Sequence, residues 1–305
     1  TDMGVSADNY SVITDYGLGG GWQDLGLHSI STQQYSATTV LAKRQNLTTF
    51  GNYIIGHSNG SLYNPPAVTE ELRVKGAYFK TQASSTATVS GSSTALNNYN
   101  NGTVKVNSGA SLIVQGNINN ESSSMFNVQG SLFLEGSWNN NANTNISNAV
   151  FQFQGASVQT FGEVAPITLN GLIINKSLNN LTLTGNVIVT NQLTLTSGKI
   201  ITASAQLLIL NDNATTSGGS VNSFVSGPIK KIGDDAFVFP TGKSARWARI
   251  GISAPTSTSA EFTAEYFDSP YSALTPVAGT LIDVSPKEYW QLDLSGTPSN
   301  ANVTL

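Results

Sequence analysis

The chain has 305 residues and only 10% charged side chains, with 14 Lys and Arg against 18 Asp and Glu, for a net charge of -4. Its polarity comes from Ser, Thr, Asn and Gly. This balance argues against nucleic-acid binding, which needs a basic face, and against a polybasic membrane-surface segment. Cysteine is absent, which removes disulfides, thiolate metal sites and a cysteine nucleophile.

The opening stretch, 1-64, reads as aromatic-bearing strands: DNYSVITDYG, GGGWQDLG and TTFGNYIIG. It carries neither a basic start nor an apolar leader core, and no run of about 18 apolar residues occurs anywhere, so the chain is expected to be soluble, without membrane insertion. Asn64-Pro65-Pro66 reads as a junction.

Within 65-222, from about Gly102 to Leu210, the sequence is a succession of short apolar runs, among them TVKV, SLIV, SLFL, AVFQF, LTLTGNVIV and QLLIL, separated by Gly, Asn and Ser. Alternation of apolar and polar residues over four to nine positions is the signature of half-buried strands. The glycines Gly109, Gly130 and Gly155 each precede a small residue and a strand, at separations of 21 and 25. Periods of this size belong to solenoids, so we expect a parallel β-helix, or β-solenoid. The period-2 pattern turns Leu112, Val114, Leu132, Leu134, Phe153, Ile173, Val187, Val189, Leu193, Leu195, Leu208 and Leu210 inward. The Asn clusters at 117-120, 139-141 and 179-180 are expected to be turns, because Asn tolerates left-handed backbone.

Composition shifts near Ser217-Gly218-Gly219-Ser220. Longer aromatic strands follow, and 223-305 is expected to form an antiparallel β-sandwich. The fold class expected for the whole chain is all-β, a solenoid plus this aromatic-rich sandwich.

The segments FQGASVQTFG, LNGLIINKSLNNLTLTGNVIVTNQLTLTSGKI, SFVSGPIKKIG, AFVFPTGK and RWARIGIS, with Glu288-Tyr289-Trp290, resemble large secreted surface proteins of Bacteroidetes exported by the type IX secretion system. The resemblance covers about 150 to 305. It implies an extracellular or cell-surface location and a structural or adhesive role. In that family the Glu-Tyr-Trp strand is usually followed by a VTL strand, then W-x-D-L-G, then FG-x-[YF]-x-[IL]-G. Here Val303-Thr304-Leu305 ends the chain, while Trp22-Gln23-Asp24-Leu25-Gly26 and Phe50-Gly51-Asn52-Tyr53-Ile54-Ile55-Gly56 stand near its start. The sorting domain usual in that family is missing from these residues, so a piece or repeat of something longer is expected. The resemblance thus implies an interface in which Trp22, Phe50 and Tyr53 complete a sandwich holding Trp290, Val303 and Leu305. The strands come from the same chain, from a second copy head-to-tail, or from the next repeat of a tandem array.

Sites of chemistry are sparse. His28 and His57 have no acid at motif spacing. Glycoside hydrolysis needs two carboxylates across one groove, but in 65-222 the acids are Glu70, Glu71, Glu121, Glu135, Glu163 and Asp212, and no Arg stands between Arg73 and Arg246. No catalytic residue and no cofactor is therefore expected. Asp212 and the pair Asp234-Asp235 could offer oxygens to calcium, although Asp and Asn in turns also bond their own backbone. Trp22, Trp247, Trp290, Phe237, Phe239, Tyr266 and Tyr289 could stack on sugars, but their period-2 strands favour a core. The expectation is a non-enzymatic extracellular structural protein, a subunit or repeat of a surface adhesin or filament whose partners are its own copies, with surface glycans possible. The alternatives are a carbohydrate-binding module and a polysaccharide-active β-helix enzyme.

Overall fold

The computed structural model describes residues 71-75, 78-81, 84-91, 93-274, 279, 283-297 and 299-305, and the backbone of seven earlier strands. Those strands are Tyr10–Asp15, Trp22–Gln23, Leu27–His28, Gln34–Tyr35, Val40–Leu41, Arg44–Gln45 and Asn52–His57. The described chain is all-β, without a helix, and its main feature is a parallel β-solenoid of about seven turns. Two compact units are present, Thr1–Ser157 and Val158–Leu305. The division falls inside the stretch expected to be one solenoid, and coils occur in both units.

In the first unit each coil contributes one strand to each of three parallel sheets. One sheet stacks Leu72–Lys75, Thr94–Tyr99, Asn117–Asn120 and Trp138–Asn140; the second stacks Tyr78–Thr81, Thr103–Val106, Met125–Val128 and Asn143–Asn145. The third stacks Thr86–Val89, Ser111–Val114, Ser131–Leu134 and Val150–Gly155. Four-residue strands with apolar second and fourth positions place every Val, Leu or Phe at those positions inside. In register, Leu112, Leu132 and Phe151 form one interior column, and Val114, Leu134 and Phe153 another, all fully buried. Each such side chain contributes roughly 1.5–3 kcal/mol by leaving water. Trp138 fills the interior, meeting Phe126 and Phe151 edge-on with ring centroids 5.1 and 5.5 Å away.

The repeat glycines serve two purposes. Gly109 adopts φ +72°, where a side chain is strained, whereas at Gly130 a Cβ would lie 2.3 Å from the Ala110 carbonyl oxygen of the coil before.

Two of the Asn clusters expected to be turns are strands. Asn98, Asn120 and Asn140 occupy one register column facing inward, and Asn98 and Asn120 are buried. Asn98 Nδ2 donates to Asn120 Oδ1 at 2.7 Å, and Asn120 Nδ2 to Asn140 Oδ1 at 2.5 Å. An amide repeated at one coil position bonds to its copies above and below, and this satisfaction outweighs Asn's preference for turns. Asn179 is in left-handed backbone, at φ 59°, as its turn assignment requires.

Of the strands at 1-64, Leu27–His28 pairs with Arg44–Gln45 and Gln34–Tyr35 with Val40–Leu41 in two small antiparallel sheets, and the other three extend the first sheet of the coils. Tyr10–Asp15 pairs with Trp22–Gln23 and with Asn52–His57, and Trp22–Gln23 also pairs in parallel with Leu72–Lys75. Phe50 and the Asn64-Pro65-Pro66 junction lie outside the described residues.

In the second unit Ile167–Lys176, Val187–Ser197, Leu208–Leu210 and Ile229–Ile232 stack in parallel, beside a second parallel stack of Gln159–Phe161, Leu181–Leu183, Ile200–Ile201 and Val225–Ser226. The mode then changes. Ile229–Ile232 pairs antiparallel with Ala260–Phe267, which pairs antiparallel with Tyr289–Gly296. A separate antiparallel sheet joins Phe237–Phe239, Ile250–Ile252 and Val303–Thr304.

The side chains expected to face inward are buried, with Ile173 as the exception. Pairing with Val187–Ser197 shifts between Leu169 and Gly171, which reverses the alternation and puts Leu172 and Ile174 inside instead.

Candidate functional site

The parallel pairing of Leu208–Leu210 with Ile229–Ile232 stacks the turns that follow them. Asp212 comes from one turn and Asp234 and Asp235 from the next, and one carboxylate oxygen of each lies within 4.8 Å of the others. The structure thus brings together the three acids read from sequence as calcium candidates. Gly233 makes the approach possible, since a Cβ there would sit 2.2 Å from Asp212 Oδ1. Asn213, with φ 60°, donates its backbone N–H to Asp235 Oδ2 at 2.8 Å and its side-chain amide to Asp212 Oδ2 at 2.9 Å.

Sequence reading missed the group that dominates this site. Lys231 follows the inward phase of Ile229–Ile232, and its side chain is 1% exposed. Its ammonium donates to the carbonyls of Asn211 and Ile232 at 2.9 and 3.0 Å and to Asp235 Oδ2 at 2.8 Å, which uses all three of its protons. The Lys231 hydrogen bond and the Asn213 N–H hold the Asp235 carboxyl below its usual range, although burial opposes them. Calcium binds six to eight oxygens; here an ammonium already occupies Asp235. Asp212 Oδ1, buried and accepting no hydrogen bond among the described residues, and the exposed Asp234 are the groups that could hold a further cation.

A second cluster accounts for Glu288-Tyr289-Trp290. Glu288 Oε2 accepts from the Tyr266 hydroxyl at 2.5 Å and from Arg246 Nη1 at 3.1 Å, while Arg246 Nε lies 3.1 Å from Asp268. Trp290 donates its indole N–H to the Ala248 carbonyl at 3.2 Å, and its ring lies 5.2 Å from Tyr266. Tyr289 stacks on Phe267 at 4.5 Å. Burial, then the bond to Glu288, pushes the Tyr266 hydroxyl up to about 12, while that hydroxyl and Arg246 hold Glu288 low. These residues fasten Tyr289–Gly296 to its neighbours. Phe237, Phe239 and Tyr266 are buried, and Trp247, Tyr289 and Trp290 half-buried.

The fastened strand is the outermost of its sheet among the described residues, and Val303–Thr304 pairs on one side as well. Ala260–Phe267 alternates buried and half-buried positions throughout, whereas Tyr289–Gly296 has no buried residue. Leu294 is 44% exposed, Val303 54% and Leu305 73%. Of the expected N-terminal partners, Trp22 lies in a strand paired on both sides, and Tyr53 in Asn52–His57, which among the described residues is an edge strand of its sheet.

His28 and His57 fall in the strands Leu27–His28 and Asn52–His57. Glu135 accepts from Gln115 and Gln154 on the coils beside it, at 3.3 and 3.2 Å, a rung in a polar row. The Asp212 group is the one cluster of three potential metal-ligating side chains among the described residues. No protein-family model, no curated protein and no solved structure matches this chain.

Proposed function

We propose that this chain is a non-enzymatic structural unit of an extracellular surface adhesin or filament, joining copies of itself head-to-tail. The observation that carries this reading is the pair of strand edges left uncovered among the described residues, Tyr289–Gly296 and Val303–Thr304, with their exposed Leu294, Val303 and Leu305. Unpaired N–H and C=O groups beside apolar side chains are a template for another strand. The two antiparallel sheets of 229-305 are, in this reading, part of a β-sandwich that an added strand from another copy completes. Asn52–His57 is the complementary strand, being at an edge of its sheet among the described residues and carrying Tyr53, Ile54 and Ile55. The solenoid supplies length by coil-on-coil pairing. The resemblance to secreted surface proteins agrees with this role, and the single Glu135 between two amides gives no carboxylate pair for glycoside cleavage.

Sedimentation velocity over a concentration series, followed by negative-stain imaging, tests the proposal. Growing linear oligomers support it. A monomer at every concentration, or turnover of acidic or neutral polysaccharides abolished by Glu135→Gln, contradicts it.

A further inference from the structure

Ala260–Phe267 and Tyr289–Gly296 send alternate side chains to two faces of their sheet. Tyr266 and Trp290 lie on the face that fastens the outer strand to its neighbours. The opposite face carries Phe267 beside Tyr289, then Glu265 beside Gln291, then Thr263 beside Asp293. Each pair stands about 7 Å along the strands from the one before. The Phe267 and Tyr289 rings stack with centroids 4.5 Å apart and planes 5° from parallel, and Tyr271, just beyond the strand, meets Tyr289 edge-on at 5.1 Å.

Two features of this face call for a ligand. The first is aromatic surface left in water. Tyr271 is 52% exposed, and neither Phe267 nor Tyr289 is buried, although Tyr266 on the other face is. A single exposed apolar side chain is ordinary, but three rings in contact at one end of a sheet face form a patch. The second is what continues the patch. Gln291 Nε2 donates to Asp293 Oδ2 at 2.7 Å, which orients an exposed amide and an exposed carboxylate along the strand. Burial pushes the Glu265 carboxyl up, although Lys243 at 3.9 Å opposes it. Flat rings followed by a half-buried acceptor and an oriented amide suit a molecule that offers C–H faces and hydroxyls together. Two acids on the same face reject a polyanion.

We propose that this face binds a neutral polysaccharide of equatorially linked pyranose rings. Their C–H faces lie on Tyr271 and Tyr289, and their hydroxyls donate to Glu265 and Asp293 and accept from Gln291. The site adds a ligand to the surface role above but does not depend on head-to-tail assembly, because its residues belong to one copy.

The test is affinity electrophoresis of the full chain through gels containing hydroxyethylcellulose, arabinoxylan, dextran or polygalacturonate, each compared with a gel without polymer. Retardation by hydroxyethylcellulose or arabinoxylan is expected, and none by dextran, whose linkages are axial, or by polygalacturonate. Tyr271→Ala should weaken retardation roughly threefold to tenfold, the worth of one aromatic contact, and Tyr271→Phe should keep it. Gln291→Ala should weaken it roughly twofold to tenfold, the worth of one hydrogen bond. Both positions are exposed, so these variants should melt with the parent. Absence of retardation by both equatorially linked polymers, equal retardation by dextran or polygalacturonate, or unchanged retardation in Tyr271→Ala overturns the proposal. So does retardation that is abolished by tetramethylammonium chloride and not by sodium chloride at equal concentration, which would make the ligand a quaternary ammonium. The oligomer distribution reports on assembly separately.

Discussion

The Lys231 ammonium lies 2.8 Å from the Asp235 carboxylate at a point where the lysine is 1% exposed and the acid 34%. A buried cation is therefore the partner of a turn acid whose neighbours, Asp212 and Asp234, are acids too. Lys231→Met should cost roughly 1–3 kcal/mol, since it leaves two carbonyls and a carboxylate without their donor. The Asp235 carboxyl is lowered on folding, so its contribution is present above the ordinary carboxylate range and is lost as pH falls through its folded value. Urea melts from neutral to acid pH should show that loss in the parent and a flatter profile in the variant. Calcium should raise the melting temperature of Lys231→Met, where the three acids lack their counter-ion, and leave that of the parent unchanged.

Lys176 behaves in the opposite sense. It is 2% exposed, its ammonium donates to the buried Gln159 Oε1, and burial lowers it from 10.5 to about 8. Between those values the unfolded chain binds a proton that the folded chain has released, so stability rises with pH; below about 8 the penalty is fully present. Thermal melts from pH 8 to 10 should show rising stability that Lys176→Met removes, with the variant more stable than the parent at pH 7. The window stops at 10 because Tyr266, raised to about 12, contributes a loss above its ordinary value of 10.0.

The Asn column separates inner from outer amides. Asn120→Ala removes the bond from Asn98 Nδ2 and the bond to Asn140 Oδ1, leaving the first with the Met125 carbonyl and the second with the Ala142 N–H, and should cost about 1–2 kcal/mol in chemical denaturation. Asn119→Ala breaks the outer bond from Asn139, which is exposed, and should change stability by no more than about 0.5 kcal/mol.

These residues also mark how far the sequence could be read. Leu112 and Leu132 were legible because strict alternation in SLIV and SLFL admits one inward phase. Ile173 was not, because a register shift is a property of two paired strands and leaves no mark in either alone. Asn120 was read as a turn from the local preference of Asn, while its burial depends on amides one coil away at Asn98 and Asn140. The Asp212 cluster was legible in composition alone. Its closeness comes from turns one coil apart, a spacing visible in the 22 residues between Asn213 and its partner Asp235. Lys231 went unnoticed because it belongs to no motif; the buried phase of Ile229 carries through to Lys231 and identifies it.

The central claim, that Asn52–His57 of one copy pairs with Tyr289–Gly296 of another, is tested most directly by disulfide trapping, since the chain has no cysteine of its own. One preparation carries Asn52→Cys and the other Gln291→Cys. Mixed and oxidised at low concentration, they should give mixed dimers well ahead of either homodimer, and a chain carrying both substitutions should give a ladder of multimers. Mixed dimers no more abundant than homodimers, or a doubly substituted chain that stays monomeric, would contradict the account.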